Sequence, residues 1–459
     1  MGDTLTRDFA ALLRHWPADG EALDAIGRLL LIDGLAVAVA GSGEPGPQKL
    51  GDLARERGSK PQASVIGRDF ATTPEAAARI NGMAMHVLDF EPMWNPANHA
   101  LSPILPGLLA LAETIEAAGG PPQAARVQRA LIKGIDAQGR LRLSSQQIEP
   151  RELTLHPPGL VGPVAAALAC ADLLDLDVPK TVAAMGIGGS RACGLMANIG
   201  SMTKALHCGD SAASGLEAAL LAERGFTADV DALGSPRGFG VAYFGEKFDP
   251  SHLVAPVEVA RVLKPGPAWK LFPSQYATHF VITAALDCRA ELAGVTASDI
   301  TNVNITTPVM PYIDRPKPNS GLDGKFSLQY TTSVALLDGQ VKFASFSDER
   351  RFSPDVVALL EKTSLTQTAD IPGRFDAMHV DVEVVLASGR RVTCRCNGPL
   401  GSWSRPVTRG HIEAKAHDLM DGVIGAERAA AFWKLAAKPS AKLRITDLMR
   451  TLCSAPLAG

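Results

Sequence analysis

Apolar residues recur at helical spacing through most of the first half of the chain. Leu5 to Trp16, Glu21 to Ala40, Pro74 to Leu88, Pro106 to Ala118, Ala124 to Gln147, Gly162 to Leu174 and Lys180 to Met196 all carry that period, which predicts helices. Thr73 ahead of Pro74 predicts a capped helix start, with the proline at the first helical position. Gly119-Gly120 followed by two prolines predicts a stop. From about Asp299 the period changes. Asn302 to Thr307 alternates, which suggests a strand. Val380, Val382 and Val384 alternate before Ala387-Ser388-Gly389-Arg390, and Val392, Cys394 and Cys396 alternate after it. That is the pattern of a β-hairpin with a glycine in its turn, spanning His379 to Asn397. Ser327 to Leu337 and Pro354 to Lys362 read as helices between the two. After Pro406 helical texture returns, in His411 to Ile424, Ala426 to Ala437 and Ile445 to Leu452. The expected fold is mainly α: a large all-helical domain from residues 1–265 and 401–459, and a smaller α+β domain from 266–400.

Composition sharpens this picture at a few points. At 46% hydrophobic and 20% charged, the chain can bury a sizeable core. Aromatics are only 5%, which favours packed helices over a β-sandwich. A net charge of −3 with no lysine- or arginine-rich block argues against a nucleic-acid partner. Met1 to Gly20 lacks the apolar core of a secretory signal. Leu29 to Ala40 is too short to span a bilayer, so no membrane role is expected. The seven cysteines, odd in number, fit reduced thiols and a cytoplasmic location better than a disulfide framework.

The usual cofactor and metal signatures are missing. The sequence has no P-loop, no HExxH and no CxxC. Gly186-Ile187-Gly188-Gly189 lacks the third glycine of a dinucleotide loop, Arg191 standing in its place, and follows a helical stretch. Close helix packing is the better reading. Only Cys394 and Cys396 are near neighbours, too few to hold an iron–sulfur cluster. Neither a cofactor nor a metal is therefore expected.

What remains is a set of polar residues in apolar or proline-rich settings. A helix carrying His86 and Asp89 runs into a stiff loop, Pro92 to Pro106, that holds His99. His156 sits before two prolines at a helix start, where the helix dipole favours an anion. Lys204 and His207 lie in what reads as a glycine-flanked turn before another apolar helix. Lys270 stands between apolar neighbours, and Tyr330 is one of four tyrosines, in an apolar helical stretch where a phenol needs a partner. Each has a structural explanation when taken alone. Together, two lysines, three histidines and an aspartate imply a pocket that neutralises carboxylates and moves protons.

Five runs, in order and spacing, carry a resemblance: NGxxxHxxDF at 81–90, HPPxxVG at 156–162, TKxLHxG at 203–209, KxFPxxxxTH at 270–279 and FSxQYxxxxALLDG at 326–339. They resemble the MmgE/PrpD family over about residues 25 to 435. The resemblance implies that the α+β domain closes over the helical one like a lid, with the site between them. It implies a homodimer that needs no cofactor and a small di- or tricarboxylic acid as substrate, with dehydration, decarboxylation or epimerisation as the chemistry. Asp89, His99, His156, Lys204, Lys270 and Tyr330 fall where that family's active-site residues stand. Lys204, His207, Lys270 and Arg191 are the substrate-binding candidates. The lysines would bind carboxylates and stabilise developing negative charge, His99 and His156 would serve as acid and base, and Asp89 would orient or tune a histidine. The loop 89–100 resembles the decarboxylase branch, with Pro92 in place of an aspartate and Met93 in place of a hydroxyl residue. Ala213 stands in place of a basic one.

Overall fold

A computed structural model describes residues 4–292 and 296–454. The fold is mainly α, with one four-stranded sheet in the C-terminal half among the described residues. Helix Glu21–Gly41 is buried on nearly every side over its second half, as its apolar run suggests. Helix Arg409–Ile424 from the tail packs against it. There Lys415 forms a buried ion pair of 2.9 Å with Asp33 and donates to the Phe90 carbonyl at 2.7 Å.

Three helices meet at the heart of the helical part: Pro74–Val87, Pro157–Leu173 and Met202–Glu223. Glycine permits the crossing. A Cβ on Gly82 would stand 2.9 Å from the Gly209 Cα, and one on Gly209 only 2.2 Å from the Arg79 carbonyl oxygen. Any larger residue would push the two helices apart and carry the ends bearing His86 and Lys204 with them. Thr73 caps the first of these helices as expected, accepting from the Ala76 amide at 3.3 Å with Pro74 at the first position.

The sheet runs in the order Thr363–Thr368, Ile300–Pro308, Val380–Leu386, Arg391–Cys396. Its first pair is parallel and the others are antiparallel. The expected hairpin forms with Gly389 at φ 84° in its turn, a conformation glycine adopts freely. Val380, Val382, Val384, Val392, Cys394 and Cys396 all face inward. Helix Tyr276–Glu291 lies across the last two strands and against helix Leu328–Asp338. Two apolar cores result. One draws on residues between 9 and 269 and returns at 412–452. The other draws mainly on 268–396, with Met93 and Ile199 reaching into it.

Some expectations are corrected. The segment 203–209 is not a turn: Lys204 and His207 ride on the first turns of helix Met202–Glu223. Lys180 to Met196 is not one helix, because Val178–Gly189 stops well short and Gly194 takes φ 116°. Helices Pro45–Arg57 and Tyr276–Glu291 and the edge strand Thr363–Thr368 were not anticipated. Gly186 and Gly188 do serve close packing, their Cβ positions falling 2.7 Å from the Ala228 Cβ and 2.6 Å from the Pro163 carbonyl oxygen.

Candidate active site

Helix Pro74–Val87 ends at Leu88, and the next residue, Asp89, takes φ 50°. A left-handed aspartate is strained and persists only when its surroundings fix it. Here they do. Lys325, reaching from the α+β part, donates to the Leu88 carbonyl at 3.3 Å, and Lys415 from the tail holds that of Phe90. The Asp89 carboxylate is thereby set between two ammonium groups, Lys204 on Oδ2 and Lys270 on Oδ1. Burial alone would raise this carboxyl; the two lysines overcome it and hold the group well below the usual carboxylate range. Lys270 is fully buried, and that burial pushes its ammonium down to about 8.

His99 lies on a short two-stranded turn, Met93–Trp94 paired with Asn98–His99, whose Met93 also bonds in both directions to Ala268 at the start of the α+β part. Its Nε2 is 3.5 Å from Asp89 Oδ1 and its Nδ1 is 3.6 Å from Glu91 Oε1. Glu91, fully buried, binds His86 Nδ1 at 2.6 Å and accepts from the backbone and hydroxyl of Ser102. Burial raises its carboxyl to about 8. His156 occupies the N-cap position of helix Pro157–Leu173 without a side-chain bond to it, and its Nδ1 stands 3.3 Å from that of His207. Burial, followed by the positive charge of Lys204, lowers the basicity of His156. Burial likewise lowers that of His99, against the pull of Asp89. Both imidazoles are thus neutral at ordinary pH, the form that can accept a proton.

Asp89, His99, His156 and Lys204 line one cavity of about 70 Å³, with Lys270 directly behind Asp89. The sequence had placed these five apart, at positions spread over 182 residues, and the fold brings them together. His207 stands one layer back, against His156. Two candidates lie elsewhere. Tyr330 is turned into the core of the α+β part, where its hydroxyl donates to the Ser345 carbonyl beside Phe346, and it does not line the cavity. A fully buried phenol on helix Leu328–Asp338 had a backbone partner close by, and that settles its direction. Arg191 pairs with Glu217 on the helical surface, away from the cavity. The α+β part instead adds Gln275, Tyr276, Tyr312, Phe326 and Phe375 to the lining, with Lys204 over the Phe326 ring at 5.1 Å.

His86, Glu91 and His99 bring donor atoms within 4.8 Å of one another, a set that could hold a metal ion. The arrangement argues for a hydrogen-bonded network instead. Both Glu91 oxygens are already taken up by Ser102 and His86, and two ammonium groups stand beside the neighbouring Asp89, where they would repel a dication.

A cavity lined by a lysine, two histidines and an aspartate, with residues of the α+β part in the same lining, is the setting in which the comparison with known families stands. Residues 7–251 match the MmgE/PrpD N-terminal domain and residues 272–438 the MmgE/PrpD C-terminal domain, so the chain belongs to the MmgE/PrpD family. Among its relatives is the cis-aconitate decarboxylase of Mus musculus, 31% identical over 90% of this chain and 86% of the relative. The cis-aconitate decarboxylase of Homo sapiens is 32% identical over 76% and 73%, and that of Aspergillus terreus 25% identical over 90% and 89%. The similarity supports a lyase of the decarboxylase kind at the level of the family. Among the described residues no helix is long and apolar enough to cross a membrane.

Proposed function

We propose that the protein is a decarboxylating lyase that works on a small polycarboxylic acid without a cofactor. The observation that carries this reading is the convergence of Lys204, Asp89, His99 and His156 on one cavity, with Lys270 bound to Asp89 behind it. Loss of CO₂ from a carboxylate breaks a carbon–carbon bond and leaves the electron pair on the neighbouring carbon. That charge spreads onto a conjugated carboxylate, which an ammonium in a water-poor site stabilises far better than water does. Lys204 faces the cavity and takes this part; Lys270 acts from behind Asp89. An imidazole then delivers a proton to the carbon, so the balance is one carboxylate and one proton in, one C–H bond and one CO₂ out. Neutral at rest, the imidazole takes that proton from solvent, and its depressed basicity lets the resulting imidazolium release it readily to the carbanion. Asp89 holds both lysines in place while the site is empty. The relatives named as cis-aconitate decarboxylases favour decarboxylation over the dehydration and epimerisation also found in the family resemblance.

NMR in D₂O tests this with a panel of cis-aconitate, citrate, methylcitrate and malate- and aminosuccinate-type acids. CO₂ loss with one deuteron placed on the product carbon is expected. Loss of water alone, or exchange at an α-carbon without loss of CO₂, would replace this reading with a dehydratase or an epimerase. No change with any acid would leave only a carboxylate-binding protein.

A further inference from the structure

Four of the ten histidines stand ring against ring in the order His99, His86, His156, His207, with neighbouring centroids 4.7, 5.5 and 5.4 Å apart. Among the described residues only the last step is a nitrogen–nitrogen hydrogen bond, the 3.3 Å contact between the Nδ1 atoms of His156 and His207. The inner and outer rings of this row differ. His86 is 1% exposed, its Nδ1 is held by Glu91, and its Nε2 is sealed in without a partner. His207 does not line the cavity, yet its Nε2 is not sealed in and has no hydrogen-bond partner among the described residues. That nitrogen therefore meets water on a side other than the cavity. The surface is close there. Gly194, between the exposed Cys193 and Leu195, passes so near that a Cβ on it would stand 3.3 Å from His207 Nδ1. Asp210, one turn further along the same helix, has a side chain 36% exposed and pairs with Arg79 at 2.7 Å.

A hydrogen bond between two imidazole nitrogens needs a hydrogen on one and a lone pair on the other. The Nδ1 of His156 is thus committed to His207, and its Nε2 is the nitrogen left for the cavity that His156 lines. A ring that serves the cavity at one nitrogen and a wetter ring at the other can pass a proton through. Burial lowers the basicity of both. That of His156 falls well below the ordinary range, with Lys204 adding to the effect, while at His207 the Asp210 carboxylate pulls the other way. A proton gained at the outer ring becomes more acidic at the inner one.

Resting on the lyase reading, we infer that His207 relays to His156 the solvent proton that each turnover consumes. His207 touches no substrate and acts through His156. A water takes roughly 30 Å³, so a cavity of about 70 Å³ has little room for one beside a bound acid. A route from behind His156 does not need that room. A solvent proton binds His207 Nε2. His207 passes the hydrogen on its Nδ1 to the Nδ1 lone pair of His156, and His156 gives the hydrogen on its Nε2 to the carbanion, whose electron pair becomes the new C–H bond. One proton enters from solvent, one leaves on the product, and both rings end neutral with their hydrogens on the opposite nitrogens. Exchange with water in the emptied cavity restores the first arrangement.

The test compares the intact wild type with His207→Gln and His207→Ala, using the best substrate of the acid panel in dilute buffer. Glutamine can keep a hydrogen bond to His156 but passes no proton. Its kcat is expected to fall roughly 10- to 100-fold, less than the ~10²–10⁴ of a direct acid, with KM unchanged. Added imidazole should restore much of the rate in His207→Ala, where the vacated space can take it, and leave the wild type alone. The solvent deuterium isotope effect on kcat should rise in both variants, because proton delivery becomes the slow step. A histidine that only shapes the site would give the opposite pattern. Glutamine would then preserve the rate, imidazole would not help His207→Ala, and the isotope effect would stay put; that result would overturn the relay. A further measurement needs no variant. Isotope-labelled histidine in the wild type should show nitrogen–nitrogen coupling between the two Nδ1 atoms by NMR, and its absence would overturn the pairing. If the wild type loses no CO₂ but exchanges an α-hydrogen for deuterium, and His207→Gln slows that exchange, the lyase reading fails and the relay stands. If it loses CO₂ and both variants keep its rate and isotope effect, the relay fails and the lyase reading stands. A wild type that acts on no acid overturns both.

Discussion

The two walls of the cavity are built from different material. The helical wall holds Asp89, His99, His156 and Lys204, all delivered by helix ends and one stiff loop. The wall from the α+β part holds phenols, an amide and phenylalanines. Lys270 and Lys325 are cations from the second region that cross to the first, through bonds to Asp89 and to the Leu88 carbonyl. The contrast teaches that the titratable groups gather near the close crossing at Gly82 and Gly209, whereas the uncharged polar lining comes from the α+β part.

Changes on the helical wall should cost the most. His156→Ala is expected to lower kcat by about 10²- to 10⁴-fold, the usual worth of a positioned acid or base, as measured in single-turnover experiments. Unchanged turnover would remove His156 from proton transfer. Lys270→Met comes next, with kcat/KM expected to fall about 10- to 100-fold and both constants affected, because one variant loses a charge and unbalances Asp89. Normal kinetics there would break the link between the two regions.

The same lysine predicts a pH limb. Lys270 is protonated below about 8 and loses its proton as pH rises through that value. Activity should therefore decline on the alkaline side. Lys270→Arg should move or abolish that limb, since a guanidinium does not titrate there. A profile that stays flat to high pH in the wild type would contradict the assignment. The smallest effect is expected at Tyr330. Tyr330→Phe leaves the Ser345 carbonyl without its donor, so stability should fall by about 1–3 kcal/mol in denaturant titration while KM and kcat hold. A kinetic defect at Tyr330 would return it to the site.

Much of this was legible in the chain because local chemistry dictated it. The cap at Thr73-Pro74, the hairpin turn at Gly389 and the alternation of Val380, Val382 and Val384 depend on near neighbours, and the structure follows them. Asp89, His99, His156, Lys204 and Lys270 stood out as polar groups in apolar or proline-rich runs. Helix Met202–Glu223 was misread at its start because Gly209 suggested a turn, whereas the glycine serves a crossing that only the partner helix reveals. Tyr330 was chosen for being a rare phenol in an apolar stretch. Tyr276, in the run that carries Lys270, and Tyr312, beside Pro311, satisfy the same argument. Direction decided among the three, and direction depends on what lies across the fold. Glu91 was visible in the Asp89 loop, but its hold on His86 and Ser102 arises only once that loop closes.

The most direct test of the central claim is a crystal structure of the protein soaked with tricarballylate. One carboxylate is expected at Lys204, close to His99 and His156. A ligand bound outside this cavity, or one inside it that touches neither Lys204 nor an imidazole, would contradict the account.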